Sequence, residues 1–425
     1  MQAFFVAINP NLSYKLCMKV MKFGGTSMAT AQSIKAVANI IKKTEECVIV
    51  VSAPGKRFDG DEKITDLLYD CYKTYLELGR CDVRFKEVIR RFEELSLALG
   101  VNSLGPLLTD IKNEINGGKS IGYVVSRGEF LIAKLLAEYA GVEFVDAIGL
   151  IKFDGSGKID YETTRSRVNK RLRGLGVCIV PGFYGVLPNG IIRTFSRGGS
   201  DITGSLIAAS LDAEVYENWT DVDGIYFANP LLSKSNKIIS KLSYEEMRLL
   251  SLMGAYVLHH DSIAPAVQAS IPVKIKNTFN PCSDGSVISN IGANETVCGI
   301  AIKENLCLWE YGDSEFIRDY LASRQFVMPL PSGQRQFVIT EMANAEEIDE
   351  IISTKSGVSA KKISVITAVG ENIKKSACLV TKRILDCVSD LEFLVYDGAL
   401  GLYVGVNPDN AVELYQKICA SLEFN

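Results

Sequence analysis

The 425-residue sequence predicts an α/β protein: a mostly parallel sheet sandwiched by helices, followed by two small α+β modules. Three observations predict it. Between Met18 and about residue 295, short β-rich runs alternate with helical stretches. Those runs are continuously apolar rather than alternating, the pattern of strands covered on both faces. Past residue 296 the grammar changes to a strand–helix–strand–strand–helix unit that occurs twice.

Taken in order, strands are read at "KVMKF" (19–23), "CVIVVSA" (47–53), "IGYVVS" (121–126), "VEFVDA" (142–147), "GVCIVPGF" (176–183), "AEVYENWT" (213–220) and "IPVKIKNT" (271–278). The first is followed by a helix with Ile34, Val37 and Ile41 at i, i+3 and i+7. From about Phe58 to Gly118, Leu, Tyr and charge at helical spacing predict a helical insertion on the sheet. The first C-terminal unit runs "VCGIAI", "NLCLWEY", helix "DSEFIRDYLAS", strands "FVMPL" and "RQFVIT", helix "AEEIDEIIST". The second runs strand "KISVITAV", helix "NIKKSACLVTKRILDCV", strands "LEFLVY" and "LGLYVGV", helix "DNAVELYQKICASL". Both are ferredoxin-like in pattern. The expected organisation is a terminal extension over 1–17, a large domain over 18–295, and modules over 296–360 and 361–425. Residues 1–17 carry Pro10 and lack the charged region and cleavage site of a secretory signal.

Composition narrows the function classes. A net charge of -4 argues against a surface for nucleic-acid phosphates. The eleven cysteines include no CxxC pair, so they read as reduced thiols of a cytoplasmic protein and no structural zinc site is expected. No apolar run approaches the roughly 18 residues of a membrane span. The only histidines, His259 and His260, are adjacent, which excludes mechanisms needing a separated histidine base and ligand.

The stretch "VMKFGGTSMAT" (20–30) carries one lysine, Lys22, and stops at Gly24-Gly25 before opening a helix through Thr26 and Ser27. Adjacent glycines let backbone N–H groups approach a ligand, and a helix N-terminus adds unpaired N–H groups and a positive dipole end. Alone, this reads first as an ordinary strand-to-helix turn, because glycine pairs commonly punctuate α/β chains. The usual phosphate loop is missing: "GGKS" (117–120) has Asn113 where GxxxxGK[ST] needs glycine, and "GSGK" (155–158) has Lys152. Three further clusters sit at expected strand ends. "SRGE" (126–129) offers Arg127 and Glu129. "FSRGGSDITG" (195–204) pairs Gly198-Gly199 with Ser200 and Asp201 at the start of a helix with Ile202, Leu206 and Ala209 inward, Arg197 lying just before. "WTDVDGIYFANP" (219–230) sets two aspartates around a turn, with Tyr226 suited to stack on a base or ribose. Each alone reads also as a cap, a surface charge or a turn. Together they make two glycine-lined anion cradles with a cation and carboxylates at one sheet edge, which fits nucleotide phosphoryl transfer.

In order and spacing, "KFGGTS", "VSAPGK…ITDLL", "SRGE", "SRGGSDITG", "TDVDGIY" and "LSYEEMRLLSLMGAYVLH…IPVKIKNTFNP" resemble the aspartate kinases of the amino acid kinase superfamily, whose paired C-terminal modules are ACT domains. The resemblance covers nearly the whole chain from Met18. It implies the amino acid kinase fold and ATP-dependent phosphorylation of L-aspartate to 4-phospho-L-aspartate, the first step toward lysine, threonine and methionine, with Mg²⁺ on the phosphates. By the same resemblance Lys22 contacts the transferring phosphoryl group beside the Gly24 and Gly25 amides, and Asp201 organises that lysine. Arg197 takes the aspartate α-carboxylate and Glu129 its α-amino group; Ser52, Thr65, Gly198, Gly199 and Ser200 complete the substrate site. ATP falls to Lys22, Gly25, Thr220, Asp221, Tyr226, Leu231, Tyr256 and Val257. A carboxylate acceptor is already ionised at neutral pH and needs no general base, which suits a chain without a free catalytic histidine.

Two positions depart from that pattern: the family often has Arg where Leu231 stands and Lys where Tyr256 stands. The acidic "WEYGDSEFIRDYLAS" also replaces the glycine-containing effector loop found under lysine or threonine control. The resemblance further implies a homodimer or dimer of dimers through the C-terminal modules and a lysine or threonine effector. Because the sequence stops after the second module, no fused homoserine dehydrogenase is expected. Alternatives are another carboxylate or carbamate kinase of the superfamily, and a catalytically silent, ACT-bearing amino-acid sensor.

Overall fold

A computed structural model describes residues 18–196, 198–235, 237–255, 258, 260–311, 328–330, 336–342, 359–388, 391–397 and 400–423. It divides into two compact units, one ending at Glu217 and the other beginning at Asn218.

The first unit begins with β1 (Lys19–Phe23), α1 (Ala31–Ile41) and β2 (Cys47–Val51). The insertion follows as α2 (Ile64–Leu78), α3 (Asp82–Leu99) and α4 (Leu104–Asn116), and α5 (Ile121–Ala140) returns the chain to the sheet. Then come β3 (Glu143–Phe144), α6 (Tyr161–Leu172), β4 (Val177–Pro181), the hairpin β5 (Tyr184–Val186) and β6 (Ile192–Thr194), and α7 (Gly199–Leu211). β7 (Val215–Thr220) carries the chain across the division. β1, β2, β4 and β3 pair in parallel in that order. Every residue of β2 is buried, as a continuous apolar run requires of a strand covered on both faces. Ile34, Val37 and Ile41 are buried as their spacing predicts.

One expected strand is a helix. "IGYVVS" opens the 20-residue α5, with Ser120 capping its N-terminus through the Tyr123 N–H. The apolar, β-branched composition suggests a strand, but a run of six residues is too short for its periodicity to separate helix from strand, and only the following residues of α5, mostly buried, extend it as a helix. "GGKS" is the turn between α4 and α5, with Gly118 at φ +88°. "VEFVDA" shrinks to the two-residue β3. In α7 the buried row is Thr203, Ile207 and Leu211 with Leu206; the expected inward residues Ile202 and Ala209 are only half-buried.

The second unit opens with β8 (Ile225–Tyr226), β9 (Ile238–Ile239), β10 (Lys241–Ser243), α8 (Tyr244–Leu252), α9 (Ala264–Gln268), β11 (Val273–Asn277) and β12 (Ser286–Ser289). A six-stranded antiparallel sheet follows, ordered β14-β15-β13-β16-β18-β17. Its strands are β13 (Gly299–Tyr311), β14 (Met328–Leu330), β15 (Gln336–Glu341), β16 (Ser359–Val369), β17 (Phe393–Asp397) and β18 (Gly401–Val406), with helices α10 (Ala377–Leu385) and α11 (Ala411–Leu422). The expected helices "DSEFIRDYLAS" and "AEEIDEIIST" lie outside the described residues.

"VCGIAI" and "NLCLWEY", read as two strands, share the single strand β13, with a register shift between Lys303 and Leu306 and Asn305 at φ +58°. Its first half, Gly299–Lys303, pairs with Val365–Val369, the half of β16 that also pairs with β18. Its second half, Leu306–Tyr311, pairs with β15 and with Ser359–Ile363. The two halves of β13 thus join the strands of both expected modules into one continuous sheet. α11 then reaches back to the loop after β8. The Tyr415 hydroxyl accepts from Asn229 N–H (2.7 Å) and donates to Ile300 C=O (3.1 Å), Gln416 donates to Leu232 C=O (2.7 Å), and Ser235 donates to Glu423 (2.7 Å).

Candidate active site

In the first unit the functional side chains gather where β1, β2 and β4 end. Lys22 on β1 is buried, and its Nζ lies 2.7 Å from Asp201 Oδ1 in the first turn of α7. Gly198, the residue before α7, sits at φ +58°, a left-handed backbone that favours glycine. A Cβ on Gly199 would stand 2.5 Å from the Phe183 ring. The start of α7 thus brings backbone close to the cleft, with the positive end of the helix directed at it.

The Gly24-Gly25 cradle is made differently from expectation. A 3-10 turn, Thr26–Met28, follows it, and α1 begins only after Thr30, which caps α1 reciprocally with Ser33. Here backbone packing supplies the geometry. The Gly25 carbonyl accepts from Gly55 N–H at 2.9 Å and Met28 N–H at 3.1 Å. A Cβ on Gly55 would lie 2.9 Å from the Gly25 carbonyl carbon, so the two backbones touch only because neither residue has a side chain.

Between the cradles lies a cleft of about 640 Å³. Among the predicted site residues Gly25, Ser52, Thr65, Glu129, Gly198, Gly199, Ser200 and Asp201 line it. Lys22 reaches it through Asp201, and Gly24 sits between β1 and the 3-10 turn. Arg197 lies outside the described residues.

Glu129 carries the clearest electrostatic signature. It projects from the buried middle of α5, takes a hydrogen bond from the Ala53 backbone, and leaves Oε2 without a partner. Burial raises its pKa from 4.5 to about 8, against weaker opposing help from that backbone bond and from Arg127. Gly128 makes the placement possible, since a Cβ there would meet Ala53 Cβ at 2.8 Å and Ile64 at 3.1 Å. Arg127, grouped with Glu129 in the sequence, is buried among the rings of Tyr123 (4.4 Å), Phe130 (4.5 Å) and Tyr184 (5.5 Å), and it does not line the cleft.

The sequence reading missed several wall residues. Lys56 and Lys63 bring cations to the rim; Lys56 ends the quoted "VSAPGK", where its charge was a usable signal. Phe183 also lines the cleft, at φ +78°, a strained conformation for a ring-bearing residue. Nothing in the sequence announces that.

In the second unit Thr220 ends β7, its hydroxyl donating to Asp221 at 3.1 Å. Tyr226 on β8 and Leu231 border a mostly apolar pocket of about 380 Å³ that Tyr415 also lines. Leu231 is 91% exposed. Tyr256 and Val257 lie outside the described residues. Among the described residues no group of three or more His, Cys, Asp or Glu could hold a metal ion, and no helix is long and apolar enough to cross a membrane.

The profile of the amino acid kinase family matches residues 18–277. Aspartokinase 3 of Bacillus subtilis is 37% identical over 343 residues, covering 76% of this chain and 73% of that protein. The chain belongs to the aspartokinases of the amino acid kinase family. Chloroplastic aspartokinase 1 of Arabidopsis thaliana is 30% identical over 325 residues, 70% of this chain but only 57% of the plant protein. The crystal structure of Clostridium acetobutylicum aspartate kinase, described as an allosteric enzyme, aligns with a TM-score of 0.88 at 31% identity over 96% of this chain and 100% of that one. E. coli aspartokinase III in complex with aspartate and ADP aligns at 0.76 with 22% identity over 96% and 100% of the two chains, a likeness of fold. As in those aspartokinases, the parallel α/β sheet is joined to a C-terminal ACT-like β region, and the family places this chain among nucleotide-using kinases.

Proposed function

We propose that this aspartokinase transfers the γ-phosphoryl group of ATP to the side-chain carboxylate of L-aspartate, giving 4-phospho-L-aspartate and ADP, the first step toward lysine, threonine and methionine. One observation carries the reading: the pair of buried Lys22 with half-buried Asp201 stands at a glycine-lined cleft whose wall holds an unpartnered, buried carboxylate oxygen, that of Glu129. A dicarboxylic amino acid suits such a site, because its ammonium gives Glu129 the missing partner and its carboxylates meet cationic and N–H groups.

In this reading Lys22, oriented by Asp201, neutralises charge on the transferring phosphoryl group while the Gly24 and Gly25 amides hold its oxygens. Glu129 holds the α-ammonium and Arg197 the α-carboxylate; Ser52, Thr65, Gly198, Gly199 and Ser200 supply hydroxyl and amide donors. The aspartate carboxylate oxygen attacks phosphorus as the bond to the ADP oxygen breaks. No proton needs removing, so catalysis reduces to positioning and charge neutralisation. Mg²⁺, when bound, would offset phosphate charge. The carboxylates of the cleft wall are Asp66, Asp201 and Glu129; with Glu129 assigned to the substrate ammonium, the two that remain fit an ion held mainly by phosphate oxygens. To Thr220, Asp221, Tyr226, Leu231, Tyr256 and Val257 we assign the nucleotide. We place the kinase domain at 18–295 and the ACT modules at 296–360 and 361–425, and assign to the modules dimerisation and amino-acid effector binding.

The test is aspartate-dependent ADP formation with Mg²⁺ and ATP, the acyl phosphate trapped as a hydroxamate, beside Lys22→Ala. Turnover in the wild type that falls by about 100-fold or more in the variant supports the assignment. A folded wild type that binds amino acids without turnover would make the protein a sensor instead.

A further inference from the structure

The helical insertion buries an arginine that the reaction as assigned above does not use. Arg91, on α3, is 2% exposed. Its guanidinium donates to Glu62 C=O at 2.6 Å and to Gly55 C=O at 2.9 Å, and lies 3.5 Å from the Asp61 carboxylate. Burial and nearby Arg57 both pull its pKa below the usual 12.5, with Asp61 opposing them. A cation held at that cost binds two carbonyls of one loop. That loop, residues 52–63, forms a wall of the cleft through Ser52, Pro54, Gly55, Lys56 and Lys63.

We propose that Arg91 is a positioning residue for the aspartokinase reaction, fixing the 52–63 loop so that the Gly25 cradle and the Ser52 side of the aspartate site keep their geometry. The path is short and continuous. Arg91 holds the Gly55 carbonyl, and the N–H of the same residue donates to Gly25 C=O at 2.9 Å. At the loop's base Ser52 N–H donates to Phe23 C=O at 3.0 Å, and Ile64 N–H donates to Pro54 C=O at 3.1 Å. The carbonyls of Phe23, Gly25, Pro54, Gly55 and Glu62 are thus all engaged by donors within the protein. A cleft meant for a dicarboxylate and a phosphate chain is weakened by any carbonyl oxygen turned into it. Arg91 supplies the two donors that no backbone N–H supplies. The arrangement also links the helical insertion to the chemistry, since α3 grips the loop from its buried side through Arg91 and from its exposed side through Glu94, which accepts from Arg57 at 3.1 Å.

This inference rests on the proposed activity, and the experiment separates the two. Arg91→Met removes the donors, while Asp61 keeps Arg57 at 2.9 Å and so retains a partner charge. Arg91→Lys keeps one cation but not the two-pronged geometry. Steady-state kinetics are measured on protein shown by circular dichroism and gel filtration to be folded, alongside hydrogen exchange at the Gly55 amide. Misplacing a cradle by about 1 Å costs on the order of 100-fold, so kcat/KM for aspartate should fall about 10- to 100-fold in Arg91→Met, with Arg91→Lys intermediate. The Gly55 amide should exchange faster in Arg91→Met. Folded Arg91→Met with kcat and KM for aspartate within about twofold of wild type overturns the positioning role and leaves the activity standing, as does a loss that only tracks the unfolded fraction. An inactive wild type overturns the activity, and with it this role.

Discussion

Replacing Glu129 by Gln should make the empty protein more stable and aspartate binding worse. In the empty cleft burial holds the Glu129 pKa at about 8, against 4.5 for an exposed glutamate. A carboxyl whose folded pKa is raised contributes stability fully below the unfolded value and loses it as pH rises toward the folded one. At pH 7 the folded protein still carries the proton while the unfolded chain has released it. The gap of about 2.5 pH units between pH 7 and 4.5 then corresponds to roughly 3 kcal/mol of stability lost relative to acid conditions. Glutamine is neutral at every pH, keeps an oxygen for the Ala53 N–H, and removes that pH dependence. Urea unfolding at pH 5, 7 and 8.5 should show little difference at pH 5 and an advantage for Glu129→Gln of about 3 kcal/mol at pH 7. Binding carries the opposite sign. The substrate ammonium requires the ionised form, which costs about 1.4 kcal/mol at pH 7, so wild-type KM for aspartate should fall about tenfold from pH 7 to above pH 8. In Glu129→Gln that slope should vanish and KM should rise. A stability gap that does not widen between pH 5 and 7, or an unchanged KM in the variant, would refute the assignment.

Three further outcomes follow from packing. Gly55→Ala puts a methyl 2.9 Å from the Gly25 carbonyl carbon and should lower kcat/KM about 100-fold in folded protein; activity within twofold of wild type would show that the cradle tolerates separation. Tyr415→Phe removes the hydroxyl joining Asn229 N–H to Ile300 C=O and should cost about 1–3 kcal/mol in chemical unfolding, with a larger loss on Asn229→Gly only if side-chain bonds of that loop matter more. Leu231→Arg restores the guanidinium common in the family at a 91% exposed position; it should lower KM for ATP several-fold with melting temperature unchanged within a degree or so, and an unchanged KM would show that the nucleotide does not pass this residue.

What the sequence made legible was whatever depends on local residue type. Lys22 before Gly24-Gly25 and Asp201 after Gly198-Gly199 were legible together as candidates for an anion site, because glycine, cation and carboxylate each carry a recognisable chemistry, and the fold brings that lysine and aspartate to 2.7 Å. The unreadable parts are those fixed by partners distant in the chain. "IGYVVS" became the start of α5 because a six-residue apolar run is too short for its periodicity to separate helix from strand, and this matters for function: Glu129 Oε2 is unpartnered because the residue stands in the buried middle of a packed helix rather than on a strand-end loop with water at hand. Gly55 reads as a turn residue until Gly25 is seen against it, Phe183 gives no sign of its positive φ, and the pairing of β13 with β16 that joins both C-terminal modules is hidden because each half looks like an ordinary strand. Arg91 shows the same limit in its sharpest form. In the sequence it is one of several charges on an amphipathic helix, beside Arg90, whose guanidinium sits half-exposed among Glu87 and Glu94. Only the fold tells the two apart, turning one arginine to solvent and burying its neighbour against two loop carbonyls, so a substitution at Arg90 should leave turnover unchanged where the same substitution at Arg91 does not.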